Sequence, residues 1–95
     1  MTETDYHNWI RKESECVKCK APEAEVCHYS GRYAATLGKG LGKKAHWHCC
    51  AALCRRCHME FDSYQMGNTD ERTIDFMLRI FETQRRYLDE RSKRD

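Results

Sequence analysis

Cys54-Arg55-Arg56-Cys57-His58-Met59-Glu60-Phe61-Asp62 is the stretch on which the reading of this chain turns. It is a CxxC knuckle that runs straight into a histidine and, one helical turn later, an aspartate. The two thiolates of a CxxC point at one metal, whereas His58 and Asp62, at i and i+4, share one face of a following helix and are available to a second. Upstream, Cys16-Val17-Lys18-Cys19 is a partner knuckle. The two pairs together, Cys16, Cys19, Cys54 and Cys57, make a four-thiolate set for which structural zinc is the leading explanation. Such a zinc is a staple, and it leaves His28, His46, His48, His58 and Asp62 to carry any chemistry.

A chain of 95 residues makes one small domain whose apolar core alone is marginal, so a metal tying distant segments together is physically useful as well as spelled in the sequence. The 7 cysteines raise disulfides as the alternative. Against them stand the odd count, a polar and charged N-terminal stretch (MTETDYHNWIRKE) unlike a signal peptide, and the absence of any apolar run near the roughly 18 residues of a membrane span. A reducing, cytoplasmic setting with no membrane partner is the expectation.

The formal net charge of +2 conceals an uneven distribution. Between His28 and His58 the chain carries Arg32, Lys39, Lys43, Lys44, Arg55 and Arg56 and no acidic residue, while both flanks are net acidic. A polyanion would sit on this central segment. A solvated basic face is the plainer alternative.

Taken in order, residues 1–15 read as a polar arm with a helical turn over Tyr6 to Lys12, in which Tyr6, Trp9 and Ile10 share a face and pack on the domain, while His7 reads as exposed and without function. Glu25-Val26-Cys27-His28-Tyr29 is a β-leaning run with His28 near its end, broken by Ser30-Gly31. Leu37-Gly38-Lys39-Gly40-Leu41-Gly42-Lys43-Lys44 has glycines at alternate positions and lacks the P-loop pattern; it reads as a flexible basic loop whose lysines meet phosphate as point charges. Residues 45–53 read as the returning strand of a hairpin, in which alternation lets only one of Cys49 and Cys50 face inward. A helix is predicted from about His58 to Tyr64, ended at Gly67-Asn68. A second, capped by Thr69 or Asp70, runs to about Arg91, with Ile74, Met77, Leu78, Phe81 and Leu88 as an apolar face read as core.

A strand ending in His28, a basic hairpin, a returning strand and a helix that opens on His58 form a ββα-metal order. On Cys27-His28-Tyr29-Ser30-Gly31, the Gly-Lys-Gly-Leu-Gly-Lys-Lys loop and the LCxxCHxxFD ending at Leu53 to Asp62, the sequence resembles HNH-type endonucleases, in detail the small phage- and prophage-encoded YbcO-like nucleases. The resemblance covers roughly residues 16–90. It implies an α+β fold, a small zinc-stapled ββα-metal (HNH/His-Me finger) domain with an additional C-terminal amphipathic helix. It also implies a phosphodiester hydrolase acting on DNA in phage recombination or DNA processing and leaving 5′-phosphates, with His28 as general base and His58 as ligand of a catalytic divalent ion (Mg²⁺, Mn²⁺, Ni²⁺ or Zn²⁺). Asp62 matches the family's acidic ending and either completes that site or orients His58. Imidazole can deprotonate water near neutral pH, and the ion polarises the phosphoryl oxygen.

The sequence departs from the HNH pattern in three ways, one of them that Cys49 and Cys50 sit next to the knuckle and could compete for zinc. Cys27 stands where many HNH enzymes have a metal-ligating Asp or His, and no Asn lies between His28 and His58, so His46 or His48 would have to take that supporting role. Arg32, Lys39, Lys43 and Lys44 would bind the DNA backbone with little sequence specificity. A homodimer that cuts both strands stands beside a monomer. Two further readings compete: a catalytically inactive zinc-stabilised nucleic-acid-binding module, and a zinc ribbon for protein contacts.

Overall fold

The computed structural model describes residues 2–29, 36, 38, 40, 46–62 and 70–94, with Asp62 and Arg94 described by their backbone alone. The described chain is α+β, in the order α1 (Glu3–Glu13), β1 (Glu25–His28), β2 (Cys50–Leu53), α2 (Arg55–Asp62) and α3 (Asp70–Arg94). The predicted helix end over residues 63–69, the Ser30-Gly31 break and most of the basic loop lie outside the described residues.

Residues 1–15 are more ordered than a polar arm. Thr2 caps α1 by accepting a hydrogen bond from the Asp5 amide at 3.1 Å, and Glu3 and Asp5 in the first turn with Arg11 and Lys12 in the last suit the helix dipole. Tyr6, Trp9 and Ile10 share the predicted face and are buried in the core. His7 is buried with them, 7% exposed, which corrects its reading as a solvent-facing residue.

β1 and β2 pair antiparallel with Glu25 opposite Leu53 and His28 opposite Cys50. The returning strand is shorter than predicted: Trp47-His48 is a turn, and the strand begins only at Cys50. All four β2 residues are buried. Successive residues of an antiparallel strand turn their backbone groups alternately toward and away from the partner, so Cys50 and Ala52 face away from β1. Three of their four outward groups are met by other elements. The Tyr6 hydroxyl donates to the Cys50 carbonyl at 3.1 Å, the Ala52 amide donates to Thr83 Oγ1 at 3.0 Å, and the Val17 amide donates to the Ala52 carbonyl at 3.0 Å. A sheet edge that would otherwise invite another strand is thereby closed by α1, α3 and the first knuckle.

α3 runs 25 residues and packs Thr73, Phe76, Ile80, Thr83 and Tyr87 inward. Phe76 meets Phe61 and Tyr29 edge-on at 4.8 and 5.4 Å, and Tyr87 meets Tyr6 and Trp9 at 5.2 and 5.4 Å. The face expected to be core is the other one. Met77 packs against the core, but Ile74, Leu78, Phe81 and Leu88 are 67%, 48%, 63% and 51% exposed. Both seams recur at helical spacing, so periodicity alone does not say which one finds a partner in the monomer.

Candidate metal centre and histidine sites

Each knuckle is folded by its own first cysteine. The Cys19 amide points at Cys16 Sγ (3.4 Å) and the Cys57 amide at Cys54 Sγ (3.5 Å), the same i+3 contact twice. The first knuckle is tightened by bonds from the Cys16 amide to the Ala21 carbonyl and from the Lys20 amide to the Cys16 carbonyl, both 2.9 Å, with Lys20 in the left-handed region at φ 69°. The second runs directly into α2, whose His58 amide bonds the Cys54 carbonyl at 2.8 Å.

Pairing of Val17 with Ala52 brings the knuckles together. The Sγ atoms of Cys16, Cys19, Cys54 and Cys57 all lie within 4.8 Å of one another, and Cys19 and Cys54 are 3.5 Å apart. Tetrahedral zinc with bonds of about 2.3 Å requires sulfur separations of about 3.8 Å, so the cluster fits a structural zinc. The ion would need four thiolates. Cys19 is the readiest, pulled down to about 6 by the Ala21 backbone amide and then by Cys54. Burial pushes Cys57 up to about 12, so a metal arriving there displaces a proton.

The histidines divide between the two ends of the hairpin. At the Glu25 end, His58 Nδ1 lies 2.8 Å from Glu25 Oε1, and Arg55 Nη1 lies 3.2 Å from Oε2 of the same carboxylate. Glu25 therefore holds two residues of α2 at i and i+3, and its carboxyl is held below the usual range, chiefly by the bond from His58. With Nδ1 donating to a carboxylate, Nε2 of neutral His58 is left as the lone-pair nitrogen, which is how metal-ligating imidazoles are commonly oriented. Sequence reasoning missed Glu25. No motif marks it, because its role exists only once β1 and α2 are adjacent.

At the other end lie His28, His7, His46 and His48. The ring of half-buried His28 meets His7 edge-on at 5.5 Å and 87°. His7 in turn donates from Nε2 to the Trp47 carbonyl at 2.9 Å and lies 3.5 Å from Cys50 Sγ. His46 and His48 turn their Nδ1 atoms toward each other with ring centroids 4.2 Å apart, so one ring nitrogen must accept from the other. Burial, then the neighbouring His46, holds His48 below the ordinary histidine range. Gln84 of α3 ties this turn down by donating to the His48 carbonyl at 2.6 Å.

Pleating places Glu25 and Cys27 on one face of β1 and Val26 and His28 on the other, and Glu25 and His28 are three residues, about 10 Å, apart along it. Among the described residues, the four cysteines are the one group of three or more donors converging on a point, and His28 and His58 do not form a second. Cys27 is fully buried in the core and Cys49 is half-buried; neither joins the four-cysteine cluster. The Asp62 side chain and Arg32, Lys39, Lys43 and Lys44 lie outside the described residues. Of the central basic residues, Arg55 and Arg56 are described, and both are exposed at the start of α2 beside the cysteines. No protein-family model, curated protein or solved structure matches this chain. No helix is long and apolar enough to cross a membrane among the described residues.

Proposed function

We propose that this protein is a zinc-stapled, metal-dependent nuclease of the HNH type that hydrolyses DNA phosphodiester bonds, as the resemblance to YbcO-like phage nucleases implies. The observation that carries the reading is the His58–Glu25 pair: a helix-borne imidazole beside a cysteine knuckle, with Nδ1 oriented by a carboxylate in the manner common to metal-ligating histidines. The ββα order, with His28 closing β1, supports it. In this reading His28 takes a proton from the attacking water, and His58 with Asp62 holds the divalent ion, which when bound polarises the phosphoryl oxygen. Arg55 and Arg56, with Arg32, Lys39, Lys43 and Lys44, bind the DNA backbone and so confer affinity that falls with salt. The protein belongs, in this reading, to phage or prophage DNA processing in the cytoplasm of a bacterial host.

The separation along β1 of His28 from Glu25, the residue that holds His58, favours a second reading, a nucleic-acid-binding module that has kept the zinc staple and lost catalysis. One experiment separates the two. Zinc-loaded protein is incubated at low salt with supercoiled plasmid, with and without added Mg²⁺, Mn²⁺ or Ni²⁺, beside His28→Ala and His58→Ala. Nicking that depends on the added ion and is lost in both variants, with DNA affinity kept, supports the nuclease. Gel shifts without cleavage under every ion leave the binding module.

A further inference from the structure

Amphipathicity in α3 exceeds what the described residues of one chain use. Thr73, Phe76, Ile80, Thr83 and Tyr87 repeat at 3-4-3-4 spacing and face the core. Ile74, Leu78, Phe81, Arg85 and Leu88 repeat at 4-3-4-3 spacing on the opposite side and are all exposed. Four of those five are large and apolar, on a helix whose other exposed positions are charged apart from Ser92. A contiguous apolar stripe of this kind marks an association surface, and 3.5-residue spacing is that of a helix seam packed against another helix.

The geometry points to a second copy of this chain as the occupant, its α3 packed antiparallel on α3 about a two-fold axis at Phe81. Charge complementarity chooses both the partner and the direction. α3 opens on Asp70 and Glu71 and closes on Arg91 and Lys93. Antiparallel pairing about Phe81 brings Glu71 of one copy to Arg91 of the other, whose guanidinium also donates to the Tyr87 hydroxyl at 2.8 Å and lies 3.8 Å from Asp5, so the two carboxylates would share it, whereas parallel pairing would set acid against acid and base against base. The same axis sets Ile74 against Leu88 of the second copy and stacks Phe81 on itself.

Arg85, the polar member of the stripe, fits this arrangement. Its guanidinium is drawn aside to Asp89 at 2.9 Å, which leaves its methylene stem to cover Leu78 of the other copy. Because the seam spans only Ile74 to Leu88, about 21 Å of helix, the interface is at the small end of stable ones, and a dissociation constant on the order of micromolar is expected.

The test is sedimentation of the zinc-loaded full chain from about 0.1 to 100 µM. The expected result is a mass that rises from one chain to two across that range. Phe81→Glu brings two carboxylates together on the axis and should stay monomeric throughout, with helical circular dichroism and zinc content unchanged because Phe81 is exposed in the monomer. Leu88→Lys is the second such variant. Glu71→Arg should weaken the dimer about tenfold. A wild type that stays monomeric at every concentration, or a Phe81→Glu protein that dimerises as the wild type does, overturns the proposal; a Glu71→Arg protein as tight as wild type overturns the antiparallel direction.

Discussion

Glu25 is the residue through which the first strand and the second helix recognise each other. Its carboxylate takes Arg55 and His58 from one side of α2, so Glu25→Gln should release the His58 ring while leaving the zinc knuckle intact. Nuclear magnetic resonance of the imidazole should then show loss of the Nδ1-protonated tautomer. Acid should act in the same way. The folded Glu25 carboxyl lies below its ordinary value of 4.5, so the contact's contribution is complete above pH 4.5 and is lost as the pH falls through the lower folded value. The contact is half-exposed, so its effect on global stability is small and the ring tautomer is the sensitive readout. Lys20 is the other informative position. At φ 69° it tolerates lysine, but a β-branched residue is strained there, and Lys20→Val should cost about 1–2 kcal/mol in a denaturant titration.

At the scale of elements, the two-stranded sheet persists because its outer edge is closed and because α3 presses on it. Thr83 does both, accepting from the Ala52 amide and donating to the Arg79 carbonyl at 2.7 Å. Thr83→Val should leave a buried amide without its acceptor and cost about 1–3 kcal/mol, measured as a fall in denaturation midpoint. The two faces of α3 make a sharper contrast. Ile80→Ala empties a buried site and should cost about 2–5 kcal/mol, whereas Ile74→Ala, at concentrations where the chain is monomeric, should change stability by no more than about 0.5 kcal/mol.

For the molecule as a whole, the four-cysteine cluster joins the chain before β1 to the chain after β2, so a zinc ion held there would couple metal binding to folding. Chelation should abolish the near-ultraviolet circular dichroism of the aromatic cluster around Tyr6, Trp9 and Tyr87, and added Zn²⁺ should restore it. Zinc affinity should weaken as the pH is lowered, by about an order of magnitude per unit for each thiol proton that the metal displaces, Cys57 being one whose proton is held by burial. A competition titration with a chromophoric chelator at several pH values reads that slope directly.

Local chemistry written in adjacent residues was legible without coordinates: the two knuckles, the presence of a helix at the second knuckle (though it begins at Arg55, inside the knuckle, and not after Cys57), the β-leaning run ending at His28 and the long amphipathic helix all follow from spacing and propensity. What depends on two segments meeting was not. The burial of His7, the capture of His58 by Glu25, the closure of the β2 edge and the choice of which α3 seam faces inward each require a partner from elsewhere in the chain. A repeat of 3.5 residues defines a face but carries no record of what lies opposite it, and a carboxylate in a strand has no partner until a helix is laid beside it. Residue type and spacing therefore determined the elements and the metal donors of this protein, while burial and side-chain partnership were decided only by packing, because both are properties of pairs of surfaces and not of either sequence segment alone.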